Sequence, residues 1–222
     1  MLRRFLKKLG YSWKRFRKSL KKYQDEANYK EKLEILKDIL RLHKLKYIDL
    51  FFADESGFNM EGYVPYGWQP KGEYIHITPS KTPSTQIFGL MSLDNRLEVY
   101  SNSGSMTSKT VIAYIDDFCK QIKQPTVIVL DNAPIHHSKI FAAKVDKWKE
   151  EGLYIFFLPK YSPHLNPIEI LWRKLKYEWI HYEDIESQQE LNQVLEQILI
   201  EFGNLYNINF KEHTKEVSNI FI

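Results

Sequence analysis

One cysteine in 222 residues, Cys119, leaves no partner for an internal disulfide and no cysteine set for a zinc site. So little thiol fits a reducing compartment, and the expected location is the cytoplasm. Its surroundings, YIDDFCKQI, have the spacing of an amphipathic helix, where a lone thiol is expected to be buried and inert. No run of 18 uncharged apolar residues occurs, so no membrane span and no membrane partner are expected. The first residues are basic but lack the apolar stretch of a secretory signal. Internal repeats and low-complexity segments are also missing. What is present, 43% hydrophobic and 14% aromatic residues, suffices for a substantial core.

Acid is missing from one region only. Residues 1–22 carry ten Lys or Arg and no Asp or Glu, while the remainder carries 22 basic against 28 acidic residues, a net of −6. The overall charge of +4 is therefore local, and suggests a polyanion-binding arm on a domain of another kind. Leu2, Phe5, Leu6 and Leu9 have helical spacing with Gly10 as a C-cap, and Arg3, Arg4, Lys7 and Lys8 fill the other face. Beyond them Lys14, Arg15, Arg17 and Lys18 surround Trp13 and Phe16. A solvated basic tail is one reading. The interleaved apolar residues favour a packed or nucleic-acid-facing segment, with phosphate contacts giving sequence-independent affinity.

Tyr23 to about Lys46 reads as a linker helix with Leu33, Leu36 and Leu40 on one face. YIDLFFADESGF, YIHITPS, STQIFGLMSL and RLEVYSNSG then read as strands. SKTVIAYIDDFCKQI is a helix with Ser108 as its expected N-cap. TVIVLDN is a strand, SKIFAAKVDKWKEEG a helix closed by Gly152, and LYIFFLP another strand. NPIEILWRKLKYEWI and SQQELNQVLEQILIEFGNLY are the final helices, the second with a capping box of Ser187 and Glu190. Hairpins followed by alternating helices and strands predict an α/β fold, a mixed sheet flanked by helices, with a basic helical segment before it.

Asp54 ends the apolar run Leu50 to Ala53, and Asp131 ends Val127 to Leu130. One such acid is commonly an Asx turn or a cap. Two, each following a buried strand, point to a shared cation, because buried carboxylates are costly unless paired or metal-bound. That edge of an α/β sheet is also where ligands bind. The third acid lies in YSPHLNPIEILW. Asn166 suits an N-cap, Pro167 the first helical position, and Glu169 the third, so Glu169 reads equally as a capping-box glutamate or a ligand on a rigid helix start.

ADESGF, VLDNAPIHHS and LPKYSPHLNPIEILWRKLK together resemble the three signature segments of mariner-like and related bacterial insertion-sequence transposases. The blocks occur in order, with 37 residues between Asp131 and Glu169, and the resemblance covers roughly residues 45–185. GWQPKGE, Gly67 to Glu73, resembles the segment that follows the first acid. The resemblance implies a DDE-superfamily catalytic domain with a ribonuclease H-like fold. It implies a triad of Asp54, Asp131 and Glu169 holding two Mg²⁺ (or Mn²⁺) ions, and Glu55 is then not the catalytic acid. Two such ions about 3.5–4 Å apart can activate water, stabilise the phosphate and protect the leaving oxygen. The implied partner is double-stranded DNA, as transposon end and target, bound by a homodimer in the cytoplasm at the nucleoid.

Around the triad, Asn132 either orients a carboxylate or is a turn residue, and His137 is a candidate neighbour of the site. His136 and His137 are expected to be exposed at a helix start, with phosphate contact the alternative. Trp172 and Trp179 are expected in the core. The expected organisation is a basic remnant of a helix-turn-helix region at residues 1–22, a linker helix at 23–46, a catalytic domain at 47–185 and a helical segment at 186–222. Mariner-like transposases usually carry two helix-turn-helix units, so the chain is expected to be the C-terminal part of a longer transposase. The competing expectations are a ribonuclease H-like nuclease and a non-catalytic DNA-binding remnant of a transposon.

Overall fold

The computed structural model describes residues 2–10, 25–60, 84–182 and 185–210. The expected strand YIHITPS, the segment Gly67 to Glu73, and Lys14, Arg15, Arg17 and Lys18 lie outside them. Five strands form one sheet: β1 (Asp49–Phe58), β2 (Thr85–Met91), β3 (Leu97–Asn102), β4 (Thr126–Leu130) and β5 (Leu153–Phe157). Their order across the sheet is β3-β2-β1-β4-β5. The hairpin strands pair antiparallel, β4 pairs parallel with β1, and β5 pairs parallel with β4.

Alternation along the strands divides the core into two layers. Leu50 and Phe52 of β1 and Val127 and Val129 of β4 face one layer, covered by α2 (Glu26–Lys44), α5 (Ile168–Lys174) and α6 (Gln188–Ile200). Phe51, Ala53, Ile128 and Leu130 face the other, covered by α3 (Ser108–Cys119) and α4 (Lys139–Glu150). The helix expected as a linker, α2, buries Leu36 and Leu40 in the first layer, so it packs on the sheet. Its Lys32 also donates to the Phe157 carbonyl at 2.7 Å, at the end of β5. At the N-terminus α1 (Leu2–Lys8) closes on Gly10 at φ 79°, and Phe5, Leu6 and Leu9 are exposed.

Three element ends differ from expectation. Thr107 caps α3, its hydroxyl accepting from Thr110 N–H, while the Ser108 hydroxyl donates to the Ile135 carbonyl at 2.7 Å. The last helix stops at Ile200 instead of reaching Tyr206. Gly203 takes φ +89°, and an added Cβ there would lie 2.6 Å from the Asn95 carbonyl oxygen. The helix carrying Trp172 and Trp179 widens into a π-helical turn over Leu175–Trp179, where Ile180 N–H reaches the Leu175 carbonyl. The Ser187–Glu190 cap forms, although the Glu190 carboxylate reaches the N–H of Glu186. Cys119 is buried as expected, and burial together with the neighbouring Glu151 carboxylate pushes its pKa up to about 12.

Candidate active site

Register alone brings two of the acids together. The parallel pairing of β1 and β4 runs through Phe52 opposite Val129, and two further residues on each strand are Asp54 and Asp131. The same parity places both on the layer covered by α5, whose first turn carries Glu169. Glu55, one residue on, falls on the opposite face. Asp54, Asp131 and Glu169 line one cavity of about 420 Å³ between the middle of β1, the end of β4 and the segment that leads into α5. The apolar run does stop at Asp54, but the strand continues to Phe58 because β2 still pairs with it there.

Neither half of a capping box forms at α5. Asn166 N–H donates to the Pro163 carbonyl, and its side-chain Nδ2 donates across to the Ala53 carbonyl at 3.1 Å. Asn166 is therefore a tie between the α5 approach and β1 and not a side-chain cap, which leaves Glu169 without a capping role. A tertiary hydrogen bond wins here because Asn166 is 4% exposed, and a buried amide needs a partner that water does not supply. Its Oδ1 is buried with no hydrogen-bond partner among the described residues.

The three carboxylates differ in charge state. Burial, reinforced by repulsion from Glu169 and Glu55, raises the Asp54 pKa to about 8. Burial also raises Glu169, against the pull of Lys176. Asp131 is moved the other way: burial would raise it, but the hydrogen bond from His136 and the Ala133 N–H at 2.8 Å hold it below the ordinary carboxylate range. Burial lowers the Lys176 amine, although Glu169 and Asp54 pull it upward.

His136 is a correction to its expected exposure. Its side chain is fully buried, with Nδ1 3.1 Å from Asp131 Oδ1 and Nε2 3.0 Å from Glu55 Oε1. Burial alone would lower its pKa, but these two carboxylates outweigh that and raise it to about 9. The ring thus bridges the two faces of the sheet edge. His137 is exposed, and its Nε2 lies 2.8 Å from Asn132 Oδ1; Asn132 Nδ2 in turn donates to the Leu158 carbonyl. Asn132 is thereby held beside the cavity as more than a turn residue. Trp172 is in the core as expected, yet its indole N–H also donates to Asp54 Oδ2 at 3.1 Å. The signal for that role was its place three residues after Glu169, on the same side of the helix. Arg3, Arg4, Lys7 and Lys8 are exposed on α1, and none of them is among the residues that line the cavity.

Among the described residues, no three His, Cys, Asp or Glu side chains form a ready metal cage. Two of the carboxylates turn towards protein N–H groups instead. The donor set still fits a hard divalent cation: it is all oxygen, and Mg²⁺ keeps several waters and needs only one or two carboxylates. The raised acids show what a cation would relieve. No helix among the described residues is long and apolar enough to cross a membrane.

The sequence model of the DDE superfamily endonucleases matches residues 49–192. No functionally curated protein matches the chain. Among solved structures, a Mos1 mariner paired-end complex with Mn is similar with a TM-score of 0.61 and 15% identity, over 90% of this chain and 62% of that one. A Mos1 transposase paired-end complex with the left transposon end gives 0.59 and 14%, over 90% and 62%. The catalytic domain of Mos1 mariner transposase gives 0.54 and 11%, over 85% of each chain. The chain thus spans a little over three-fifths of the length of the whole transposase chains it resembles. At these identities the likeness establishes the ribonuclease H-like fold, and the family match, which covers more than half of the sequence and both signature strands, makes the chain a member of the DDE superfamily endonucleases.

Proposed function

We propose that the chain carries the catalytic domain of a mariner-like transposase, at residues 47–185, which cleaves DNA at transposon ends and joins the 3′-OH to target DNA. The observation that carries this reading is the register that sets Asp54 beside Asp131, with Glu169 on the same cavity. Asp54, Asp131 and Glu169 would hold Mg²⁺ or Mn²⁺, two ions in all. When bound, such a pair supplies an activated water and Lewis-acid stabilisation of the phosphate and leaving oxygen.

The chain's own residues do the rest. His136 fixes the rotation of Asp131 from beneath the sheet edge, and Glu55 holds the far side of that ring. Asn166 ties the approach to α5 onto β1 at Ala53, the residue before Asp54, and so constrains where Glu169 stands relative to Asp54. Asn132, braced by Leu158 and His137, presents a polar edge beside the cavity. The basic residues Arg3, Arg4, Lys7 and Lys8, with Lys14, Arg15, Arg17 and Lys18, would contact DNA phosphates. Transposase–DNA complexes among the similar structures support DNA as the partner. Action as a homodimer, in the cytoplasm at the nucleoid, rests on the sequence resemblance.

The test is incubation of the full chain with supercoiled plasmid and with a duplex of the element's own inverted repeat. Cleavage and strand joining are expected with Mg²⁺ or Mn²⁺, and inhibition with Ca²⁺, which accepts looser geometry. Cleavage without joining would favour a ribonuclease H-like nuclease. No cleavage under any of these conditions would favour a non-catalytic remnant. Dependence on Zn²⁺ alone would refute the carboxylate site.

A further inference from the structure

Asp54 lies in the middle of β1, just beyond the last residue paired with β4, and its antiparallel partner in the sheet is Gly89 of β2. A Cβ on Gly89 would sit 2.8 Å from Trp172 Cη2 and 3.1 Å from Cζ2. The indole is 3% exposed, packed edge-on against Phe58 with ring centroids 6.2 Å apart, so it has nowhere to retreat. The missing side chain at Gly89 is what lets the ring approach β2 this closely and reach Asp54. There its N–H meets Asp54 Oδ2 at 3.1 Å. An indole N–H only donates and does not titrate, and a carboxylate offers about four acceptor sites. One such donor leaves the remaining sites open to a cation.

We propose that Trp172 is a positioning residue for Asp54: the space left by Gly89 admits its indole, whose N–H fixes one carboxylate orientation and leaves acceptor sites for the divalent ion. The proposal rests on the reading of Asp54 as a metal ligand. Groups that orient a ligand in this way typically cost about 10–100-fold in metal affinity or activity when removed.

The test is Mn²⁺ titration of the full chain by calorimetry or electron paramagnetic resonance, with folding checked by circular dichroism. Trp172→Phe keeps the ring and loses the N–H, and a loss of Mn²⁺ affinity of about 10–100-fold is expected. Gly89→Ala should weaken binding in the same direction by displacing the ring, and decides the matter if Trp172→Phe does not fold. Phe58→Leu loosens the same packing without touching the hydrogen bond, and should leave affinity near that of the wild type. Asp54→Asn separates the two levels of the argument. If it binds Mn²⁺ like the wild type, the metal-ligand reading fails and the proposal with it. If it loses binding while Trp172→Phe retains it, or while Phe58→Leu weakens binding as much as Trp172→Phe, only the role of Trp172 is overturned.

Discussion

Asp54 and Asp131 are adjacent carboxylates with opposite tendencies. Asp54 is buried among other acids and holds its proton up to about pH 8, whereas hydrogen bonds from His136 and the Ala133 N–H keep Asp131 ionised. His136 is the residue on which that difference turns. His136→Ala leaves Glu55 and Asp131 without their shared ring, and should destabilise the fold by about 2–4 kcal/mol, read from urea unfolding. A change within about 0.5 kcal/mol, typical of surface sites, would show that the bridge is not structural. Cys119 provides an independent check on the packing. With burial and the Glu151 carboxylate pushing its pKa up to about 12, it should react with iodoacetamide at pH 8 far more slowly than a free cysteine, by at least about 10²-fold. Rapid labelling of the native chain would contradict its burial between α3 and α4.

At the scale of elements, the strands were legible because apolar runs of β-branched and aromatic residues end on turn residues. The five described strands all fall within expected segments. What sequence could not reveal depended on distant partners. His136 meets Glu55 across 81 residues, and Trp172 meets Asp54 across 118, so local patterning made one an exposed helix-start residue and the other plain core. Asn166 looked like a cap because the competing β1 carbonyl is 113 residues away. The early end of α6 follows from a contact of Gly203 with Asn95, which helical periodicity does not contain. Gly203→Ala should accordingly cost about 1–3 kcal/mol through its positive φ and the crowding carbonyl. Packing of α2 on the sheet carries its own expectation. Leu36 is fully buried, so Leu36→Ala should cost about 2–5 kcal/mol in the same cooperative transition. A loss below 1 kcal/mol would mean that α2 is a detached linker.

For the whole molecule, charge is divided between a basic first segment and an acidic remainder that contains the cavity. Under the proposed function, net repulsion between DNA and that remainder would be overcome locally, by phosphate contacts near the N-terminus and by cations at the triad. DNA affinity should therefore fall steeply with salt and discriminate little between sequences. Replacing Arg3, Arg4, Lys7 and Lys8 with Gln should reduce the slope of log affinity against log salt by about three to four, if each contacts one phosphate. An unchanged slope would remove α1 from the DNA interface. The most direct test of the central claim is the rate at which Glu169→Gln nicks supercoiled plasmid with Mn²⁺, beside the wild type. Glu169 has no capping role to lose, so the fold should be retained. The rate should fall by more than about 10²-fold, beyond the usual loss for a group that only supports a ligand. Nicking near the wild-type rate would contradict the assignment of Asp54, Asp131 and Glu169 as one catalytic site.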